Sequence, residues 1–184
     1  MPDKMRFPEE LAPYTTLSPE ECLAHYTGLT PHERLASLAA GADALAAALA
    51  GLPAADLDRS IAPGAWTVRQ IVHHLADGEI VWSVYLRIAL GVPGVSAQLD
   101  WYPGNEGWAG ALDYAGRPIE AAVALFRAQR LYTAHLLEHM GERWERCVLV
   151  DGRPMRVVDI ACLLTIHAAE HVAEICRIRE QGGS

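Results

Sequence analysis

The sequence predicts an all-α fold with one short β-hairpin ahead of its last helix. Three observations carry this reading. N-capping signals recur at Ser18, Thr30 and Thr67. Long stretches repeat their apolar residues at helical spacing. One Asp-Gly turn, Asp151-Gly152, lies between short β-prone runs.

Taken in order, Ser18-Pro19-Glu20-Glu21 and Thr30-Pro31-His32-Glu33 each combine an N-cap, a proline at the first helical position and a glutamate at the third, so each opens a helix. The second continues through an alanine-rich run whose Leu35, Leu38, Leu45 and Leu49 face inward, with Gly51 as its stop. A loop bearing proline and glycine follows. Thr67 and Gln70 then form a capping box, with Trp66 placed as a hydrophobic staple, and Val68, Ile71, Val72, Leu75 and Val81 trace the apolar stripe of a long helix. After Gly91 the chain reads as a long irregular passage, 92–117, carrying Trp101, Tyr102, Trp108 and Tyr114; these aromatics either line a pocket or cover one end of the helices. Pro118 opens another long helix that ends near Gly141. The hairpin at Asp151-Gly152 precedes a final helix from Val157 or Val158 to about Gln181, before Gly182 and Gly183, with Ile160, Leu163, Leu164 and Ile175 on its apolar face.

Composition narrows the class. At 184 residues and 51% hydrophobic, the chain can bury a core without disulfides, and its length favours a single domain spanning 1–184. The N-terminus has no apolar signal core, and no apolar run is long enough to span a bilayer, so a cytoplasmic protein without a membrane partner is expected. The net charge of −8 and the scattered basic residues argue against a nucleic-acid partner. Cys22, Cys147, Cys162 and Cys176 lack the spacing of a zinc ribbon or redox pair and are expected to be free thiols.

His167 and His171, one turn apart in the last helix, point the same way and can present two ligands to one metal ion. His74 is the candidate third ligand: it lies on the apolar stripe of its helix, whereas His73 sits about 100° around it. The spacing alone does not decide, because His135 and His139 repeat it at what reads as a polar helix end, and a histidine on an apolar face also serves as a hydrogen-bonded core residue. Three imidazoles converging in a core would be hard to satisfy by mutual hydrogen bonds, whereas a metal accepts all three lone pairs. His167-Ala-Ala-Glu170-His171 also fits the HxxEH pattern of inverted zincins, but Glu174 and Glu180 lie too close along the same helix to supply the distant carboxylate ligand of that class.

The run WTVRQIVHHLAD followed by HxxxHxxxI near the C-terminus resembles the DinB-like superfamily, in particular its YfiT-like metal-dependent hydrolases and bacillithiol S-transferases. The likeness extends from FPEELAPYT through the last helix. It implies a four-helix bundle in which one divalent ion, zinc or nickel by preference, is bound by His74, His167 and His171, and it is compatible with a homodimer. Where YfiT carries further histidines in the last helix, this chain has Glu170 and Glu174.

By resemblance, the expected activity is transfer of a low-molecular-weight thiol of the bacillithiol or mycothiol type to an electrophilic small molecule. Hydrolysis through hydroxide generated at the metal is the alternative. A third class is a non-catalytic metal-binding or dimeric interaction module. Around the metal, Asp77 and Glu170 are candidates to orient imidazoles or act as base. Arg69 and Arg130 are candidates to hold a carboxylate-bearing thiol cosubstrate, and Trp101 to contact it.

Overall fold

The computed structural model describes residues 7–141 and 143–182. Among these, helices α1 (Pro19–Gly28), α2 (Pro31–Leu49) and α3 (Val68–Gly91) begin where the capping signals place them. The reason is local: the Ser18, Thr30 and Thr67 hydroxyls each accept from the backbone N–H three residues on. Glu21, Glu33 and Gln70 return the bond to the cap N–H at 2.8, 2.8 and 2.9 Å. The helix expected at Pro118 starts at Glu120 instead, with Ile119 as a cap that makes no side-chain bond, and forms α5 (Glu120–Met140). The last helix, α6 (Val157–Gly182), follows the hairpin directly; Gly183 lies outside the described residues.

The passage 92–117 is not uniformly irregular. It contains a two-residue strand, β1 (Ser96–Ala97), and a short helix, α4 (Asn105–Ala111), entered through Gly104 at φ +84°. The hairpin strands are β2 (Cys147–Val150) and β3 (Arg153–Arg156), antiparallel, with Val150 opposite Arg153. Asp151 and Gly152 both take positive φ, +48° and +78°, as a two-residue turn of this hand requires. β1 pairs in parallel with β2, where Leu149 N–H donates to Val95 O at 2.9 Å and Asp151 N–H to Ala97 O at 3.1 Å.

The four long helices form the bundle. α2 packs on α5 and α6, and α3 packs on the same two, so α2 and α3 occupy opposite corners. Leu38 and Leu45 of α2, Ile71, Leu75 and Leu86 of α3, Phe126 of α5 and Ile160, Leu164 and Ile175 of α6 are buried. Leu35 and Leu49, expected inward, are half-buried at its edge, as is Leu163.

One charged pair sits inside this apolar interior. Arg130 of α5 donates to Glu79 of α3 at 2.6 Å, to Leu164 O of α6 at 2.7 Å and to Leu38 O of α2 at 3.2 Å, with both charged side chains fully buried. Its guanidinium therefore ties all four bundle helices together. A Cβ at Gly41 would come within 2.8 Å of Arg130 Nη1, so a glycine is what admits this side chain beside α2. No helix among the described residues is long and apolar enough to cross a membrane.

Candidate metal centre

The second turn of α3 carries His74, and the middle of α6 carries His167 and His171 on the face turned to α3. One donor nitrogen from each histidine lies within 4.8 Å of the other two. His167 Nε2 and His74 Nε2 are 2.7 Å apart, and the three ring centroids are separated by 4.6–4.9 Å with planes nearly perpendicular. Perpendicular edge-to-face rings aim their nitrogens at a common centre instead of stacking. The α3 backbone makes room for this: a Cβ at Gly78 would stand 2.8 Å from His167 Cε1, so the ring occupies a notch that any other residue would fill.

The residues present fit a divalent ion. Burial lowers the pKa of all three imidazoles. His74 is pushed down to about 4, and His167 goes well below its usual value with help from its two imidazole neighbours. His171 is also lowered by burial, opposed by the Glu174 carboxylate beside it. Neutral imidazoles are the form that ligates metal. His171 Nδ1 faces Glu174 Oε2 at 3.3 Å, an outer carboxylate that orients the ring and leaves Nε2 for the ion. His167 Nδ1 is buried without a hydrogen-bond partner among the described residues, so packing in the Gly78 notch holds that ring.

Above the three nitrogens lies a cavity of about 230 Å³. Its wall is α3, through Val81 and Trp82, and its roof comes from the 92–117 passage, through Leu99, Tyr102, Asn105 and Trp108. Tyr102 and Trp108 meet edge to face at 4.9 Å. The roof is fastened at several points. Leu99 N–H donates to Asp151 of the hairpin turn at 2.9 Å, Trp66 Nε1–H to Glu106 at 2.8 Å, and the Tyr114 hydroxyl to Asp77 at 2.5 Å.

A profile of the DinB superfamily matches residues 37–175, a span that holds all three histidines, α3, the roof and most of α6. The chain belongs to the DinB superfamily. A protein of Geobacillus thermodenitrificans named "Putative metal-dependent hydrolase" is 33% identical over 144 residues, covering 77% of this chain and 79% of that one. One of Geobacillus kaustophilus with the same description is 31% identical over 142 residues, covering 76% and 78%. Among solved structures, YfiT from Bacillus subtilis, described as a probable metal-dependent hydrolase with an unusual four-helix bundle topology, superposes with a TM-score of 0.75. It is 20% identical and the match covers 83% of this chain and 87% of that one. At that identity the likeness shows the fold, and it agrees with the bundle described above.

Within this DinB scaffold the sequence-predicted residues separate. His74, His167 and His171 come together, while His73 turns away: its Nδ1 takes a bond from Arg117 at 2.9 Å and its ring stacks on Tyr114. Asp77 orients no imidazole and instead receives the Tyr114 hydroxyl, whose pKa is raised by burial and by that carboxylate. Glu170 is exposed, and the carboxylate that reaches a ligand is Glu174, one residue beyond His171 plus two, where the i, i+3 spacing returns it to the same face.

The two arginines are spent elsewhere. Arg69 pairs with Asp58 at 2.7 Å and donates to Arg117 O at 3.2 Å, and Arg130 is the buried brace of the bundle, so neither lines the cavity. Arg130 falls on the buried stripe Ala122, Phe126, Arg130, Thr133 and Leu137, a periodicity that marks it as interior. Trp101 is 54% exposed, donates to Gln98 O and covers the outer side of the roof at 6.0 Å from Trp108. Trp66 turns its ring edge to His74 at 4.7 Å. The cysteines are free, Cys22 and Cys162 buried. Gly78 escaped the sequence reading, which noted Glu174 as a departure from YfiT but gave the orienting role to Glu170 and Asp77; for Gly78 a signal was available. That signal is a glycine inside a strongly helical run, one turn after a candidate ligand.

Proposed function

We propose that this protein is a divalent-metal enzyme that joins a low-molecular-weight thiol, of the bacillithiol or mycothiol type, to an electrophilic small molecule. His74, His167 and His171 would hold a divalent ion, which would supply the Lewis acidity that lowers the pKa of a thiol or water molecule. The observation that carries the thiol reading is the lining of the cavity. Beyond the three imidazoles, its one ionisable group is the Tyr102 phenol, which burial keeps protonated. Amide cleavage needs an acid positioned to give the leaving nitrogen its proton, and the Tyr102 hydroxyl already donates its proton to Asn105 Oδ1. Sulfur displacing a halide needs none: the S–C bond forms as the C–Cl bond breaks, chloride leaves, and the thiol proton has already passed to solvent.

The chain's own groups supply position and dryness. Glu174 fixes His171, the Gly78 notch fixes His167, and Trp66 closes on the far edge of His74. Leu99, Tyr102 and Trp108 exclude water from the space in which the electrophile meets the sulfur. Hydrolysis is the second reading, and the names of the two Geobacillus relatives favour it.

The test offers zinc- or nickel-loaded protein bacillithiol or mycothiol with 1-chloro-2,4-dinitrobenzene, beside 4-nitrophenyl acetate without thiol. Metal-dependent thioether formation that falls to the uncatalysed rate in His171→Ala supports thiol transfer. Metal-dependent ester cleavage with no thioether would replace it with the hydrolase reading.

A further inference from the structure

The cavity over the three histidines is built for an uncharged ligand. Five charged side chains near it are already engaged: Asp77 by Tyr114, Glu106 by Trp66, Asp151 by Leu99 N–H, Glu174 by His171 and Arg69 by Asp58. None of them contributes to the lining, which holds no guanidinium, ammonium or carboxylate. A carboxylate or phosphate on the part of a substrate remote from the histidines would therefore meet no countercharge in the lining and would be disfavoured there.

Shape and polarity add to this. The cavity of about 230 Å³ lies below the roughly 300 Å³ at which drug-sized sites begin, so it takes one ring-sized group. Trp82, Tyr102 and Trp108 offer aromatic surfaces, and Val81 and Leu99 are aliphatic. Flat apolar rings are what such surfaces hold best, by offset or edge-to-face contact. Beyond the imidazoles, two polar groups interrupt the apolar lining, the Tyr102 hydroxyl and Asn105. Asn105 accepts the Tyr102 hydroxyl through Oδ1, which leaves its amide N–H groups without a partner among the described residues. Asn105 is an exposed residue at the edge of this lining, and an amide there can donate to a carbonyl or nitro oxygen.

We infer that the second ligand of this site is a small, uncharged molecule with one flat apolar ring and a hydrogen-bond acceptor, the ring lying against Trp108 and the acceptor meeting Asn105. This deepens the proposed function, naming the class of electrophile, and rests on the reading that the cavity over the histidines is the substrate site. A larger or charged portion of either reactant stays outside the roof.

Three probes of one shape test it: benzamide, benzoate and phenyl phosphate, titrated by ligand-observed NMR against metal-free protein, where no ion attracts the anions, and against zinc-loaded protein. The expected result in the metal-free protein is benzamide binding at least tenfold tighter than either anion. Asn105→Ala should weaken benzamide about fivefold and Trp108→Ala should remove measurable binding. Zinc titration of both variants should stay one-to-one, which shows that they fold and keep the histidine cluster. Benzoate or phenyl phosphate binding as tightly as benzamide, benzamide binding indifferent to both variants, or no binding of any probe would overturn the inference while leaving the metal reading in place. Benzamide binding with this dependence in a protein that takes up no metal would uphold the inference and defeat the metal reading alone.

Discussion

Both α5 and α6 carry two histidines one turn apart, and only one pair belongs to a centre. On α5, His135 and His139 are exposed; their rings lie 4.2 Å apart and His139 Nδ1 bonds His135 O of its own helix at 2.9 Å. On α6, His167 and His171 face α3, meet a third imidazole, have burial lowering their pKa values and gain an outer carboxylate. Identical spacing has opposite outcomes. Two ligands on one helix become a site when the helix face that holds them is turned to another helix bearing a third, with a notch to receive the rings. The same rotation decides what α5 buries: its interior stripe delivers Arg130, while its histidines point to solvent.

The largest effect should come from breaking the α6 side of this comparison. His74→Ala or His167→Ala is expected to abolish one-to-one zinc or nickel binding in calorimetry, whereas the double change His135→Ala with His139→Ala leaves affinity and stoichiometry untouched. Equal losses in both would dissolve the distinction.

Removing the residue that α5 does bury comes next. Arg130→Met leaves the buried Glu79 carboxyl without its partner and should cost about 3–5 kcal/mol in urea unfolding, while Arg130→Met combined with Glu79→Leu should recover most of that loss. A double variant as unstable as the single one would show that the brace, not charge compensation, holds the four helices.

The notch is a finer test. Gly78→Ala puts a methyl group where His167 lies, 2.8 Å from its Cε1, so metal affinity should fall by roughly 10–100-fold. Stability of the metal-free protein should change by no more than about 1 kcal/mol, because alanine also favours the helix. Thermal melting and metal titration of one preparation give both numbers.

The smallest effect separates two glutamates. Glu174→Gln should weaken metal binding by about tenfold, and Glu170→Gln should not change it. A loss confined to Glu170→Gln would move the orienting role back to the residue that the HxxEH pattern suggested.

What could be read from the sequence was local. Ser18, Thr30 and Thr67 announced their helices because both partners of each capping box lie within three residues, and Asp151-Gly152 announced the hairpin because few residues tolerate two successive positive φ angles. The three ligands were legible for the same reason: an i, i+4 pair and a histidine on an apolar stripe are one-dimensional signals. The rest depended on what another segment brings. A strand as short as Ser96–Ala97 has no alternation to detect and exists because β2 offers it a partner. Asp77, Arg69 and Arg130 carry charges that suit a site, and only Tyr114, Asp58 and Glu79, each 11 or more residues away, show where those charges are used. The choice of Glu174 over Glu170 turns on the rotation of His171, which neighbouring helices fix.

The pairing of Ser96–Ala97 with the hairpin has a consequence for how such a protein can diversify. The roof is moored at one end to β2 and at the other by Tyr114, whereas the three clustered histidines ride on α3 and α6. Residues between those moorings can be exchanged as a cassette, by natural drift or by design, provided Glu106 is kept to hold Trp66 beside His74. On the proposed function, activation of the reagent and choice of its target would be inherited on separate parts of the chain, and a library confined to 98–111 would test that separation.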